Sequence, residues 1–338
     1  MLGRMNQTAR IGIWEAPLHY QALQRMFIAA LHKRGHFTRL KTYFIALTKE
    51  ASCELKWWSS ERLHQINGMA LNPPAIDKII STDASKKGWG ASSLGQSTGG
   101  QWQKDEARAH INVLELKAAY LAVQAFVRDS TRPHHIKVLM DNSTAVSYIN
   151  KRGGTHSPTL ASLALEIWNF CISQQIWITA RHVPGVTNVE ADFASGNFNN
   201  RTEWTLEKRV FQMITKRFYT PQVDLFASRI NHQLPRYVAR YPDPGSMATD
   251  AFLQYWGQWT VFIYAPIVLL PRILQKLRQD QATGLVIAPT WPGQPWFPTL
   301  LELLVDFPAQ LLIAERTIFL PFEQQAIHPM WKNLRLAV

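Results

Sequence analysis

Cysteine is nearly missing from this chain: its 338 residues contain only Cys53 and Cys171. Two thiols cannot build a disulfide framework or the ligand set of a cysteine zinc site, so both are expected to act as small core residues. Any metal must then be held mainly by oxygen. Long apolar runs are missing too. The most apolar stretch, 260–270, is too short to cross a bilayer and runs into Pro271 and Arg272. The first residues carry no signal-peptide pattern, and a soluble intracellular protein, cytoplasmic or nuclear and with no membrane partner, is the expectation. Acidic residues are outnumbered, with 24 Asp and Glu against 36 Lys and Arg, a formal charge of +12. That excess favours a polyanion, either nucleic acid or an anionic surface, and charge alone does not choose between them.

What is present suits folded protein: 46% hydrophobic and 18% charged residues, in a chain long enough for two or three compact units. No internal repeat is visible. Residues 15–70 read as helices, with Leu23, Met26, Phe27, Ala30 and Leu31 at helical spacing and a second stripe of Leu47, Ala51, Leu55 and Trp58. Between them Lys33, Arg34, His36, Arg39 and Lys41 make a basic turn. Asn72-Pro73-Pro74 breaks the helical period and marks a boundary.

A different pattern starts there. The sequence predicts strands over 78–83, 88–93 and 99–103, a helix over 113–127, a buried strand over 135–141 and a short helix over 142–149 stopped by Gly153-Gly154. Leu160, Leu163, Ala164, Ile167, Trp168 and Cys171 mark the core face of a longer helix, followed by a strand over 176–180 and a closing helix from 190. Beyond 203 a helix over 204–218 and alternating strands and helices suggest a separate small α/β unit.

Asp83 and Asp141 end the first and fourth predicted strands, so neighbouring strands would bring their carboxylates to one sheet edge. Glu115 lies among Leu114, Leu116, Ala118 and Ala119, where an acid is costly without a charge partner. Asp192 begins the closing helix. Four acids at element ends suit hard, oxygen-preferring ions such as Mg²⁺. Phosphodiester hydrolysis calls for such a grouping, since two divalent ions can activate water and stabilise the leaving oxygen. A single Asp at a strand end is more often a cap or turn residue, and none of the four persuades alone.

The local motifs bind them together. Ser81-Thr82-Asp83-Ala84-Ser85 with Gly88-Trp89-Gly90-Ala91, Leu114-Glu115-Leu116-Lys117-Ala118, Met140-Asp141-Asn142-Ser143 and Asn188-Val189-Glu190-Ala191-Asp192 resemble ribonuclease H, most closely the version in DIRS-like retrotransposons, over about 120 residues. The resemblance implies an α/β, five-stranded mixed sheet flanked by helices over 75–202, with a helical, thumb- or connection-like segment over 1–74 and a small α/β unit over 203–338. It implies cleavage of the RNA strand of RNA–DNA hybrids, with two Mg²⁺ or Mn²⁺ ions held by Asp83, Glu115, Asp141 and Asp192. His182, in Arg181-His182-Val183-Pro184-Gly185, resembles the family's loop histidine, which assists proton transfer and product release; a surface loop histidine is an equal reading.

Asn142, Ser143 and Thr144 open a helix, where they can cradle a phosphate or simply cap it, and Lys151 and Arg152 offer backbone contacts or a solvated loop. Trp89 and Trp102 are expected in the core. Recognition of a hybrid would rest on shape and 2′-hydroxyls rather than base edges.

The flanks extend the resemblance. Trp14, Pro17-Leu18-His19-Tyr20 and Glu54-Leu55-Lys56-Trp57-Trp58 are similar to the segment preceding ribonuclease H in DIRS-like reverse transcriptases. No adjacent Asp-Asp pair occurs, so the paired aspartates of a polymerase palm are absent, and a C-terminal part of a polyprotein is expected, with other retroelement-encoded proteins as further partners. Val223-Asp224-Leu225-Phe226-Ala227-Ser228 and Trp291-Pro292-Gly293-Gln294-Pro295-Trp296-Phe297 resemble the following segment, which has been likened to DNA adenine methyltransferases. The Gly-rich turn is missing after Asp224 and Ala265-Pro266 replaces a Pro-Pro pair, so a packing or binding role is expected. Two other functions compete: a binding module that has lost turnover, and an integrase or transposase, which normally needs a later Glu on the closing helix.

Overall fold

Two apolar strands and an apolar helix between them set the frame for everything else. β1 (Lys78–Ala84) and β4 (His134–Met140) lie side by side in a five-stranded mixed sheet of order β3-β2-β1-β4-β5, with β2 at Gly88–Ser93, β3 at Gln96–Gln101 and β5 at Ile176–His182. The computed structural model describes residues 2–32, 46–61, 63, 75–127, 134–198, 203–311, 317–323, 328 and 336–337. The basic turn over 33–41 and the boundary at 72–74 lie outside the described residues.

β1 and β4 are parallel, in register from Lys78 opposite Ile136 to Ser81 opposite Leu139. β4 and β5 are also parallel, ending with Met140 opposite His182. The hairpin partner β3 runs antiparallel to β2 and closes through Leu94 and Gly95, whose φ angles of 51° and 74° give a two-residue turn with the twist such hairpins need. β3 thus begins at Gln96 rather than at 99, as the sequence suggests. Gln96, Ser97, Gly99 and Gly100 carry no β-branched or aromatic signal, so pairing with β2 makes the strand where propensity does not. Gly99 is required: a Cβ there would come 2.6 Å from the Trp89 carbonyl oxygen. Trp89 and Trp102 are both buried, as expected, and Trp102 donates its indole N–H to the Ser85 carbonyl at 2.9 Å.

Residues group by proximity into two compact units, one of Met1–Ala84, Ala109–Tyr120 and Asp129–Asp192, the other of Ser85–Arg108, Leu121–Arg128 and Phe193–Val338.

In the first unit, α1 (Leu2–Ile11), α2 (Gln21–His32) and α3 (Lys49–Trp58) precede the sheet. The Glu54 carboxylate accepts the backbone N–H groups of Ala22 and Leu23 at 2.8 and 2.9 Å, satisfying orphan donors at the positive end of α2. Cys53 is exposed, contrary to expectation, because it lies two positions past Ala51, on the outer side of α3. Cys171 is buried on α6 (Pro158–Ser173) with Leu160, Leu163, Ala164, Ile167 and Trp168, the face predicted from their spacing. Each large side chain among them contributes about 1.5–3 kcal/mol by leaving water. α4 (Ile111–Phe126), α5 (Ser143–Asn150) and α7 (Val189–Gly196) complete the helices around the sheet.

In the second unit, β7 (Val223–Asp224), β10 (Thr260–Ile263) and β11 (Thr283–Val286) form a small parallel sheet in the order β11-β10-β7. β6 (Thr205–Leu206), α8 (Lys208–Arg217), α9 (Leu270–Gln279) and two more two-residue strands, β8 (Val238–Ala239) and β9 (Ala248–Thr249), surround it. Val223, Trp256, Val261, Ile263, Ile273 and Leu274 fill its core. Arg229 donates to both carboxylate oxygens of Glu106 at 3.0 and 3.2 Å, and Thr98 donates its hydroxyl to the Pro242 carbonyl. Among the described residues no helix is long and apolar enough to cross a membrane.

Candidate metal centre

Parallel neighbours end at the same edge, and that is where the acids meet. Asp83 is the second-last residue of β1, and Asp141 directly follows the last residue of β4. Glu115 projects from α4 toward the same place. Asp83, Glu115 and Asp141 each offer an oxygen, and these atoms lie within 4.8 Å of one another. Asp83 and Glu115 are buried and Asp141 is exposed, so the group is closed on one side and open on the other.

Burial costs Asp83 and Glu115 their hydration. For Glu115 the result is a pKa pushed up to about 8, first by burial and then by the charges of Asp83 and Asp141; a hydrogen bond from the Ala84 backbone N–H works the other way. Glu115 Oε2 is buried and has no hydrogen-bond partner among the described residues. Close carboxylates, a starved buried oxygen and an all-oxygen donor set fit a hard divalent cation, which would relieve both the repulsion and the missing bond.

Asp192 does not join this group. It sits in the first turn of α7 and is exposed. His182, at the end of β5, is exposed as well. The registration of Met140 with His182 places the histidine beside the strand end that leads to Asp141, and the Val183 backbone N–H donates to the Met140 carbonyl at 2.9 Å. The loop then passes close over the acid: a Cβ on Gly185 would lie 3.2 Å from Asp141 Oδ2.

Asn142 caps α5, its Oδ1 accepting the Ala145 backbone N–H at 3.0 Å, while its Nδ2 donates to Asn112 Oδ1 at 3.0 Å. Ser143 is exposed and Thr144 half-buried in the same turn. Lys151 and Arg152 part company. Lys151 faces solvent, whereas the Arg152 guanidinium lies 5.1, 5.4 and 6.0 Å from the ring centroids of Trp168, Trp177 and Trp14. Arg152 therefore spends its charge on three indoles. Sequence reasoning passed over Asn188, which is 3% exposed and donates its side-chain N–H to the Thr82 carbonyl at 2.8 Å; its place in the last motif was the only available signal.

In the second unit Asp224 is buried and accepts the Gln233 backbone N–H at 2.9 Å, and burial raises its pKa to about 7. Its carboxylate holds the chain together locally.

No protein-family model matches the sequence, and no curated protein matches it. Solved structures do. The chain is similar to LC11-RNase H1 in complex with RNA/DNA hybrid, at 22% identity and a TM-score of 0.28, over 34% of this chain and 91% of that one. It is similar to RNase H1 from the halophilic archaeon Halobacterium salinarum, at 20% identity and a TM-score of 0.27, over 35% and 94%. A third likeness, to the prototype foamy virus protease-reverse transcriptase, has 14% identity and a TM-score of 0.20, over 61% of this chain and 27% of that one.

Proposed function

We propose that residues 75–202 form a ribonuclease H module that hydrolyses the RNA strand of RNA–DNA hybrids, and that Asp83, Glu115, Asp141 and Asp192 would hold two Mg²⁺ or Mn²⁺ ions. The observation that carries this reading is the convergence of three carboxylates from three separate elements within 4.8 Å. Divalent ions bound there supply positive charge against the phosphate and the departing oxygen.

The protein's own part follows from its residues. Glu115, whose proton is held by burial and by the charges of Asp83 and Asp141, would have to give it up to serve as a ligand. Water adds to phosphorus and one P–O bond breaks, so a proton must reach the leaving oxygen. His182, exposed at the end of β5 and in register with Met140, would deliver it and then help product leave. The N-terminal turn of α5, with Ser143 and Thr144, and the exposed Lys151 are positioned to meet backbone phosphates, in keeping with a chain of +12 net charge. Recognition is of shape and 2′-hydroxyls, without a base-reading element.

We further read the chain as the C-terminal part of a DIRS-like retroelement reverse transcriptase, with 1–74 as a connection-like segment and 203–338 as a packing domain. The motif resemblance supports this, as does the use of Asp224 to satisfy backbone rather than ligand. Incubating the purified chain with an end-labelled hybrid and either ion tests the activity: the RNA strand should shorten and the DNA strand persist.

A further inference from the structure

β1 and β4 stop pairing just before the acids. Their register ends at Ser81 opposite Leu139, which leaves the peptide joining Thr82 to Asp83 just beyond the last paired positions. Asn188 fills this place. Its Nδ2 donates to the Thr82 carbonyl at 2.8 Å, its own carbonyl accepts the Asp192 backbone N–H at 3.0 Å, and its backbone N–H donates to the Gly185 carbonyl at 2.9 Å. One residue therefore ties the peptide that carries Asp83 to the first turn of the helix that carries Asp192, and to the glycine that passes over Asp141.

Asn188 does this at a cost. It is 3% exposed, and its Oδ1 is buried with no hydrogen-bond partner among the described residues. An orphaned buried amide oxygen is destabilising, so mere packing would favour an apolar side chain of similar volume. The donor half of the amide is what such a side chain could not replace.

We infer that Asn188 is a positioning residue that fixes the distance between Asp192 and the Asp83–Glu115–Asp141 group. The inference rests on the reading of these acids as the ion-binding set of a hybrid-cleaving module. Asp192 stands outside the group as the chain folds, so its usefulness depends on how far α7 is allowed to stand off, and Asn188 sets that span.

The test compares wild type with Asn188→Leu, close in volume but without a donor, and with Asn188→Ser, whose hydroxyl is too short to reach Thr82 and which guards against a folding failure of the first variant. Each is made alone and together with Asp192→Asn. Hybrid cleavage should slow about 10–100-fold, in kcat with KM for the hybrid little changed, and in the Asp192→Asn background the same changes should slow it no further, because Asn188 acts through that acid. Independently of activity, the Asp192 backbone amide should exchange with solvent faster in both variants, and Mn²⁺ should raise their Tm less. Cleavage and exchange matching wild type would overturn the inference. So would losses that multiply in full with Asp192→Asn, the mark of a structural role unrelated to that acid. If wild type itself leaves hybrids intact, the hybrid-cleaving reading falls, and amide exchange at Asp192 still decides whether Asn188 holds α7.

Discussion

Asp83 and Glu115 share one acidic group, and after burial itself the charge of Asp83 is the strongest influence holding a proton on Glu115. A cluster of acids built this way is strained while its charges stay uncompensated. Its consequences are visible without any substrate.

Stability of the metal-free chain should fall as pH rises. Glu115 has a folded-state pKa of about 8 against 4.5 when unperturbed, so between these values the unfolded chain has lost a proton that the folded one retains. The stabilisation is whole below about 4.5 and is lost as pH climbs through about 8. Urea midpoints in EDTA from pH 5 to pH 9 should decline for wild type and decline less for Glu115→Gln; parallel curves would place the proton elsewhere.

Ion binding should run the other way. Because Glu115 must deprotonate to bind, Mn²⁺ or Mg²⁺ affinity should rise with pH up to about 8, with proton release measurable as a buffer-dependent heat. At a free ion concentration of about 100 Kd the folded state gains about 2.7 kcal/mol, which EDTA should remove. Asp83→Asn should abolish most of the gain.

Arg152 and its neighbour Lys151 should separate cleanly in experiment. Removing the guanidinium from the three indoles by Arg152→Gln should cost about 1–2 kcal/mol in stability while leaving the salt dependence of hybrid binding as it was. Lys151→Ala should do the opposite, sparing stability and flattening the salt dependence. A lower salt slope in the Arg152 variant would show that the side chain reaches the nucleic acid after all.

The buried pair of Arg229 and Glu106, only 16% and 12% exposed, should resist single changes. Glu106→Leu strands a guanidinium and should cost on the order of 3 kcal/mol, most of it recovered by adding Arg229→Met, since a well-packed apolar pair often matches a buried ionic one. A loss in the double variant equal to the sum of the two single losses would argue that the pair has no net coupling.

Asp83, Asp141 and Glu115 could be placed at the ends or in the middle of recognisable elements, and the resemblance of their motifs to ribonuclease H joined them into one set. The helix face from Leu160 to Cys171 was legible through its period alone. Other features left no such trace. β3 has no strand-forming side chains apart from Thr98 and exists because β2 pairs with it. α1 went unrecognised because LGRMNQTARI has too few apolar positions to show a period. Arg152 reads as a loop cation beside Lys151, yet its backbone, at φ 56°, turns the side chain inward to tryptophans far apart in sequence. Asp192 could be assigned to a helix start but not to a distance, because that distance is set by Asn188 through a contact across 106 positions.

The most direct test of the central claim compares wild type with Asp141→Asn on a labelled RNA–DNA hybrid in Mg²⁺ and in Mn²⁺, with duplex DNA as control. Wild type should cut only the RNA of the hybrid, and Asp141→Asn, which keeps the shape of the side chain but not its charge, should lose nearly all of that cutting. A wild-type chain that leaves the hybrid whole in both ions, or an Asp141→Asn chain that cuts as fast, would contradict it.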